Sequence, residues 1–506
     1  MPEYLRAYIV VIFLFFISFG LIKQIRPDFI TRLDLYKWRN YWILIASISF
    51  LSPNVWFYLF ALAILLISIR SSPADKAIFF IAILCASPLF HYTIPGFGII
   101  NLLITLNYAD TLVLFLLIPA YHAANNVNGW SPNNFDKCVV IYVVLISILA
   151  LTQTSITHGI RLAFNYSLAI ALPYLAFSRT ITNTASLKKL SFALLFCLVP
   201  MALIGCFESL KYWKLYSPAL AHVLGDGNYL SYRLRGDSLR SNGLFASPIV
   251  LGYAMVIGFG FLIYIRKYVD SKNVIRFVGL LFLASLYFTK ARGPWLGLAI
   301  LVFLYVWSGP QKYNNLARLL LLTGLMAIPL SLTPTGTKVF EMLPFFSAAT
   351  SHEASTVDYR FRLIEQGWLV FKQNPILGSI DYRDTPEMEL MRQGQGIIDV
   401  VNSYIHIALS YGMVGLSLFL FIFIGLLLCL QKTVKSLPSA ESELIHLGRV
   451  LFAVLGAIIF IIFTVSSIDF IPVFYWSIAG ICSAYLKICK NRRIEIDGNR
   501  VRIQPL

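Results

Sequence analysis

The chain alternates between about a dozen long apolar runs and two polar segments, 208–246 and 333–402, that are crowded with arginines, acids and tyrosines. A charged side chain is costly inside a bilayer, so charges in a membrane protein collect in loops unless they serve a purpose. A helix of roughly 20 apolar residues crosses a hydrocarbon core of about 30 Å. We therefore predict that the apolar runs form a membrane scaffold and that the two polar segments carry the chemistry at one membrane face.

The composition supports a membrane protein. The 506 residues are 58% hydrophobic and only 13% charged, whereas a soluble domain is typically about 25% charged. The predicted fold is all-α and polytopic, with about 12–15 transmembrane helices and one large outer loop domain. A break at Ser52-Pro53-Asn54 leaves two interpretations of 41–70, a single kinked span or a tight hairpin.

The apolar and polar runs divide the chain into six predicted segments. They are N-terminal transmembrane helices at 1–207, an arginine-rich loop at 208–246, central transmembrane helices at 247–332, a large loop domain at 333–402, C-terminal transmembrane helices at 403–488 and a tail at 489–506. The run at 403–430 is predicted to be the longest span. The first run has a basic flank without a small-residue cleavage site, so we expect a retained anchor.

The net charge of +17 could indicate nucleic-acid binding, but the basic residues follow a topological pattern. They collect at 23–39, at 266–276 and in the tail, which all lie on the cytoplasmic side if the helices alternate. The two polar segments then lie outside, and the bilayer rather than nucleic acid is the expected partner. The seven cysteines lie in or beside the predicted spans without metal-ligand spacing, so no disulfide framework, metal site or cofactor is expected.

Three arginines precede the central helices within eight residues: Arg233, Arg235 and Arg240. Arginine stays charged and its planar fork matches phosphate oxygens, so this group at a membrane surface suits a phosphate or diphosphate. The alternative is that they are solvated charges or contacts to lipid headgroups.

A second basic group, Lys290 and Arg292, lies in a short turn that the alternation also places outside. A basic pair on the outer face runs against the positive-inside tendency, which favours a binding role. Gly293 and Pro294 are expected to fix the turn and begin the next helix.

The large loop contains a predicted amphipathic helix that is capped near Asp358 and ends before Pro375. On a helix Arg360 and Arg362 point to different sides, so we expect one of them to face a substrate. An acidic patch at 381–389 and a flexible link at 394–396 follow. A long loop of this kind often acts as a lid.

Together these motifs resemble the bacterial O-antigen ligase and polymerase superfamily, the Wzy and WaaL group. The resemblance covers roughly 230–430 and depends on the order of its motifs. They are Pro248-Ile-Val-Leu-Gly252, Lys290-Ala-Arg292-Gly293, Tyr359-Arg360 with Pro375-Ile-Leu-Gly378, and Asn402-Ser-Tyr404 with Tyr411-Gly412-Met-Val-Gly415, together with Ile94-Pro-Gly-Phe-Gly-Ile-Ile-Asn101 near the N-terminus.

The resemblance implies a membrane glycosyltransferase of the GT-C kind, facing the periplasm from the bacterial inner membrane. Such proteins transfer a glycan from an undecaprenyl-diphosphate carrier to a glycan acceptor, with inversion and without a nucleotide sugar or metal. Other glycan-assembly proteins are further candidate partners. The candidates to hold the phosphates or the substrate are Arg240, Arg292 and Arg360, with Arg233, Arg235, Lys290, Arg362, Asn402 and Tyr404 beside them.

One departure from the family concerns the general base. Ligases of the family usually carry His-Asn before the late span, whereas Val401 precedes Asn402 here. Asp399 is the nearest carboxylate and the candidate base, although it could instead cap a helix starting near Val400. His406 lies one turn inside the predicted span. The missing histidine favours a polymerase of repeat units over a ligase that modifies lipid A-core.

Two readings outside enzymology stay open. A transporter of lipid-linked glycans would need polar residues lining a path through the spans, or paired inverted repeats, and the runs show neither. A non-catalytic partner in a glycan-assembly complex remains an alternative because of the missing histidine.

Overall fold

The computed structural model of the chain describes residues 1–96, 102–128, 132–225, 232–235, 238–331, 333, 351–393 and 396–503. Parts of several predicted motifs lie outside these residues, namely 97–101, 229–231, 236–237, 334–350 and 394–395. The side chain of His352 lies outside the described side chains as well.

The first half of the bundle is helical apart from one short hairpin. Its elements are α1 (Glu3–Gln24), α2 (Arg32–Leu51), α3 (Val55–Ile67), α4 (Pro73–Ile83), strands β1 (Tyr92–Pro95) and β2 (Leu102–Leu106), α5 (Tyr108–Leu112) with a π-helical turn (Val113–Leu117), α6 (Ile118–Asn128), α7 (Asn134–Gln153), α8 (Ile156–Tyr166) with a second π-helical turn (Ser167–Ala171), α9 (Leu172–Thr180), α10 (Thr184–Lys211) and α11 (Ser217–Leu224).

The second half begins with a smaller hairpin and holds the predicted loop domain. Its elements are β3 (Leu234–Arg235), β4 (Ser238–Leu239), α12 (Pro248–Ile265) with a 3-10 turn (Arg266–Tyr268), α13 (Lys272–Thr289), α14 (Arg292–Trp307), α15 (Lys312–Ser331), α16 (Ser351–Gln373), a 3-10 turn (Tyr382–Asp384), α17 (Pro386–Glu389), α18 (Ser403–Ser436), a 3-10 turn (Ser439–Glu441), α19 (Ser442–Phe463) and α20 (Ile471–Ile503).

Long apolar helices dominate the described residues, which confirms the predicted all-α polytopic membrane fold. Nine of them are long and apolar enough to cross a bilayer. They are Glu3–Gln24, Asn134–Gln153, Ile156–Thr180, Thr184–Lys211, Pro248–Tyr268, Lys272–Thr289, Ser403–Ser436, Ser439–Phe463 and Ile471–Glu495. Val55–Ile67 and Arg292–Trp307 are shorter apolar helices of the same kind.

The stretch around Pro53 is a tight hairpin and not a single kinked span. Ser49 at the end of α2 and Tyr58 at the start of α3 both hydrogen-bond the hydroxyl of Ser87, at 2.8 and 3.0 Å. In one continuous helix these two residues would lie about 13 Å apart along the axis. Asn54 caps α3 by accepting the backbone N–H of Phe57, so the polar break supplies the turn.

Ion pairs link the ends of several helices at one end of the bundle. Lys189 Nζ contacts Asp34 and Asp75 at 2.9 and 2.8 Å and so joins α10 to the beginnings of α2 and α4. Asp136 at the start of α7 holds Arg179 at the end of α9, with an N–O distance of 3.2 Å. We call this the ion-pair end. The described residues of 208–246, together with 289–293 and 399–404, lie at the opposite end of the bundle, which we call the site end.

Helix α18 is two helices joined at Gly412, which corrects the prediction of one long span. Gly412 has φ 62° and ψ −165°, outside helical geometry. The rings of Tyr404 and Phe419 are 5.9 Å apart, although 15 helical residues would separate them by about 22 Å. The portion before Gly412 therefore folds back over the longer portion that follows it.

The kink at Gly412 is locked by the turn around Gly378. Met413 and Val414 donate their backbone N–H groups to Pro375 and Ile376, at 2.9 and 3.2 Å. A Cβ on Gly412 would collide with the Ile376 carbonyl, and the positive φ also requires glycine. The two glycine motifs of the sequence are thus one structural junction between α16 and the kink.

The predicted loop domain has its own small core. Leu363, Val370, Tyr382, Met388 and Leu409 are buried members of this cluster, which is separate from the main core of the bundle. Helix α16 begins at Ser351 and not near Asp358 as the capping pattern predicted, and it ends at Gln373, before Pro375, as expected. The core ties α16 to the first part of α18.

Candidate functional site

The three arginines of the first polar segment lie on and beside the β3–β4 hairpin. Leu234 pairs with Leu239 and Arg235 with Ser238, and the backbone N–H of Arg240 donates to the carbonyl of Arg233 at 2.9 Å. The hairpin is too short to be stable alone. It is held by neighbours at the site end, which decide where its side chains point.

The hairpin packs against the turn between α13 and α14. Arg240 Nε donates to the carbonyl of Thr289 at 3.0 Å. Arg235 Nη1 donates to the carbonyl of Lys290 at 2.9 Å, and Lys290 Nζ donates back to the carbonyl of Arg235 at 3.1 Å. The structure therefore joins two basic motifs that are about 50 residues apart in sequence.

The turn itself differs from the sequence prediction. Lys290, with φ 49°, is the left-handed residue that ends α13, whereas Gly293 was expected to fix the turn. Gly293 lies inside the first turn of α14, where a Cβ would collide with Thr464 Oγ1. Its small size lets α14 approach the loop between α19 and α20.

Positive charge is concentrated in this cluster. Burial, and after it the nearby charges of Arg235 and Arg233, lower the pKa of Arg240 to about 10. Burial and nearby cations both destabilise the charged form of a guanidinium, and a bound anion offsets that repulsion. The electrostatics of the cluster thus favour an anionic ligand.

A second part of the site brings Arg292, Arg360 and Asp399 together. The pKa of Arg360 is lowered, first by burial and then by the charge of Arg292, while the carboxylate of Asp399 acts in the opposite direction. Arg360 Nη2 also lies 3.5 Å from the Thr464 carbonyl. Tyr359, next to Arg360 on α16, donates its hydroxyl to the Asp399 carbonyl at 3.0 Å.

The loop 464–470 connects these parts, and the sequence interpretation missed it. Ser466 Oγ donates to Asp399 Oδ1 at 2.6 Å. Ser403, the first residue of α18, donates its backbone N–H and its hydroxyl to the Val465 carbonyl at 3.2 and 2.7 Å. The signal was available, because Thr464-Val-Ser-Ser-Ile-Asp469 is a polar interruption between two apolar runs.

Asp469 is a second carboxylate at the site end. Its Oδ2 accepts the backbone N–H of Ala246 at 2.9 Å, immediately before α12. The pKa of Asp469 is raised to about 7, because the effect of burial outweighs the opposite effect of the hydrogen bond from Ala246. Its φ of 59° is unusual for a residue other than glycine, and such strain is often found at functional sites.

A buried ion pair supports the arginine hairpin from below. Glu208 is fully buried and accepts backbone N–H groups from Leu215 at 3.0 Å and from Gly243 at 2.9 Å. Lys214 Nζ lies 3.8 Å from Glu208 Oε2 and donates to the Arg240 carbonyl at 2.6 Å. Burial lowers the pKa of Lys214, and the charge of Arg240 adds to that effect, while Glu208 opposes it.

The remaining predicted residues have local partners. Asn402 is the N-cap of α18 and accepts the N–H of Tyr404 at 2.9 Å, so Asp399 is not the cap. Tyr404 donates its hydroxyl to the backbone carbonyl of Ile459 at 2.8 Å. Arg362 is exposed and pairs with Asp358 at 3.0 Å, which leaves Arg360 as the arginine of α16 that faces the cluster.

His406 lies where α18 packs against the loop domain. Its Nδ1 lies 2.9 Å from the hydroxyl of Tyr382 and 3.3 Å from that of Ser410. The Tyr382 contact joins the loop domain to α18, and the Ser410 contact lies within α18.

The fold and this site define a polytopic membrane protein with a cluster of cationic side chains from several loops, and a carboxylate beside it, at one end of its helices. Residues 277–420 match the family model described as O-antigen ligase. The matched region runs from α13 into α18, and the match supports the O-antigen ligase and polymerase superfamily. The match supports ligase- or polymerase-type glycosyl transfer at that coarse level. No curated protein matches the chain.

Proposed function

We propose that the chain is a polymerase of undecaprenyl-diphosphate-linked oligosaccharide repeat units, acting by inverting transfer at the periplasmic face of the inner membrane. The observation that carries the proposal is that Arg235 and Arg240 hydrogen-bond the turn that carries Lys290 and Arg292. The charges of Arg292 and Asp399 in turn both act on Arg360. A lipid diphosphate leaving group needs cations at membrane level, and an acceptor hydroxyl needs a base.

The arginine hairpin is the proposed diphosphate-binding part. As the acceptor oxygen attacks the anomeric carbon, the bond from that carbon to the phosphate oxygen breaks and its electron pair leaves with the diphosphate. Arg240 and Arg292 stabilise the growing negative charge, with Arg233, Arg235 and Lys290 holding the remaining phosphate oxygens. Preorganised donors of this kind contribute because they need no rearrangement during the reaction.

Asp399 is the proposed base. It takes the proton of the acceptor hydroxyl while Ser466 holds its Oδ1. Arg360 interacts with the charges of both Arg292 and Asp399. It therefore links the residues proposed to bind the leaving group to the residue proposed to activate the acceptor. A base for the acceptor and cations for the leaving group are the two kinds of group that a direct displacement with inversion requires.

Ligation to lipid A-core or another acceptor is the second candidate function. The same arginines would hold the same donor, and only the acceptor differs. The presence of Val401 where ligases of the family usually carry histidine favours the polymerase. A non-catalytic partner or a lipid-linked glycan transporter would keep the diphosphate-binding cluster and lose the need for Asp399.

Turnover by purified protein in liposomes tests the proposal. With a lipid-linked repeat unit as both donor and acceptor, we expect a ladder of polymers on a gel, insensitive to EDTA. Arg292→Ala is the matched inactive control. A single transfer to added lipid A-core with no ladder would identify a ligase, and binding without any product would refute an enzyme.

A further inference from the structure

Helix α16 has a side that neither the small core nor the site uses. Leu363 and Val370 are buried, and Gly367 packs toward Ile405 and Leu409 of α18. On a different side Phe361, Ile364 and Trp368 are 68%, 54% and 56% exposed. These three recur at i, i+3 and i+7, so they form one apolar stripe along the helix.

The other exposed side of α16 is mostly polar. Asp358, Arg362 and Gln373 are exposed there, and Leu369, which is 43% exposed, lies among them. The helix therefore has a core side, an apolar side and a mostly polar side. A contiguous exposed apolar stripe on an otherwise polar helix marks an interaction surface.

The stripe continues through the turn that follows α16. Ile376 and Leu377 are 66% and 45% exposed. The backbone of this turn is hydrogen-bonded to Met413 and Val414, the first residues after the kink of α18, and these two are exposed as well. The apolar surface of α16 thus joins the beginning of a membrane-spanning helix.

The long portion of α18 shows what this surface faces. Val414, Phe421 and Leu428 recur every seven residues and are all exposed, with Ile424 beside them. This stripe belongs to a helix that is long and apolar enough to span the bilayer. An outward apolar stripe on such a helix faces lipid acyl chains, so the surface of α16 continues a lipid-facing surface.

The chemistry of α16 also fits the headgroup region. The ring of Trp368 stacks on Phe371 with centroids 5.6 Å apart, and Lys372 Nζ lies 5.5 Å from the Trp368 centroid. Tryptophan is enriched at the membrane interface, and lysine can extend its ammonium group to the headgroups from an apolar surface.

We propose that α16 lies in the interfacial layer of the bilayer leaflet at the site end, with Phe361, Ile364 and Trp368 inserted among phospholipid acyl chains. Interfacial helices of this type bury their apolar side about 5–10 Å into the boundary between headgroups and acyl chains. The inference depends on the exposed surfaces and is independent of the proposed enzymatic reaction.

Spin-label accessibility tests this placement. Single cysteines replace Ile364 and Trp368 in full-length protein whose seven native cysteines have been substituted, and the labelled variants are reconstituted in phosphatidylethanolamine–phosphatidylglycerol nanodiscs. Arg362→Cys and Gln373→Cys on the mostly polar side of the same helix are the matched controls. We expect labels at 364 and 368 to collide more with oxygen than with a water-soluble nickel chelate. At 362 and 373 we expect more collisions with the nickel chelate than with oxygen.

Three results would overturn the proposal. Equal nickel accessibility at all four positions would place the stripe in water. Protection from both reagents at 364 and 368 would indicate a protein partner or a second copy of the chain. Oxygen accessibility that arises only after a polyisoprenoid diphosphate is added would assign the stripe to that lipid instead of the bilayer.

Discussion

Replacing Asp399 by asparagine separates a catalytic carboxylate from a structural one. The substitution keeps the size of the side chain and removes its ability to take a proton. Because Asn402 caps α18, the loss of charge at position 399 does not remove a helix cap. We therefore expect glycan transfer to fall by about 10²–10⁴ while the protein accumulates normally and still binds the lipid-linked donor.

The structural cost of this substitution is small by comparison. The carboxylate accepts a 2.6 Å hydrogen bond from Ser466, and the amide oxygen of asparagine can accept the same bond. A hydrogen bond to a charged acceptor contributes about 1 kcal/mol more than one to a neutral acceptor. The expected loss of rate corresponds to about 3–5 kcal/mol, so the two effects differ enough to be told apart.

The assay is polymer formation from a lipid-linked repeat unit in liposomes, with melting temperature as the measure of folding. Ser466→Ala is the matched control, because it removes the hydrogen bond and keeps the carboxylate, and it should cost about tenfold or less. His352→Ala and His406→Ala should also do much less than Asp399→Asn. Near-normal polymer from Asp399→Asn would refute this base, and a large loss in Asp469→Asn alone would assign the role to Asp469.

Three further expectations concern the leaving group, the support of the hairpin and the topology. Arg240→Ala and Arg292→Ala should each reduce transfer by about 10²–10³ while the protein accumulates normally in the membrane. Lysine at either position should restore little activity, because it lacks the bidentate fork of arginine. Normal polymer from either alanine variant would remove that residue from the site. Glu208→Gln should lower the free energy of unfolding by about 3–5 kcal/mol in a denaturing-detergent titration, since it breaks a fully buried ion pair; an unchanged midpoint would contradict that reasoning. In cells with a permeable outer membrane and an intact inner membrane, a cysteine at Ser351 should be labelled and a cysteine after Lys487 should not. Labelling at Ser351 only after the inner membrane is permeabilised would reverse the orientation.

Local sequence patterns were reliable wherever the determining forces are local. The apolar runs predicted spanning helices. The break at Ser52-Pro53-Asn54 left two predictions, a kinked span and a hairpin, and the structure shows the hairpin. The cap near Asp358 was wrong because α16 starts earlier, at Ser351. Aspartate is a favourable N-cap residue, but it can also lie inside a helix. A capping pattern alone therefore does not exclude a helix that begins earlier.

The apolar run that begins at residue 403 shows what hydropathy cannot predict. The run from 403 reads as one helix because every residue around Gly412 is compatible with a span. The kink exists because the turn at 375–378 hydrogen-bonds the backbone beyond Gly412, a contact that joins residues far apart in sequence. Hydropathy measures the preference for lipid and carries no information about that contact.

The sequence by itself determined the class of the protein, because the cost of burying charge in lipid forces apolar residues into spans and charges into loops. It also supplied the arginines, since their chemistry does not depend on where they lie. Only the tertiary structure decided which of them meet. It joined Arg235 to Lys290, selected Arg360 over Arg362, and brought Ser466 and Asp469 to the site end, because these contacts are set by helix packing and not by neighbours in the chain.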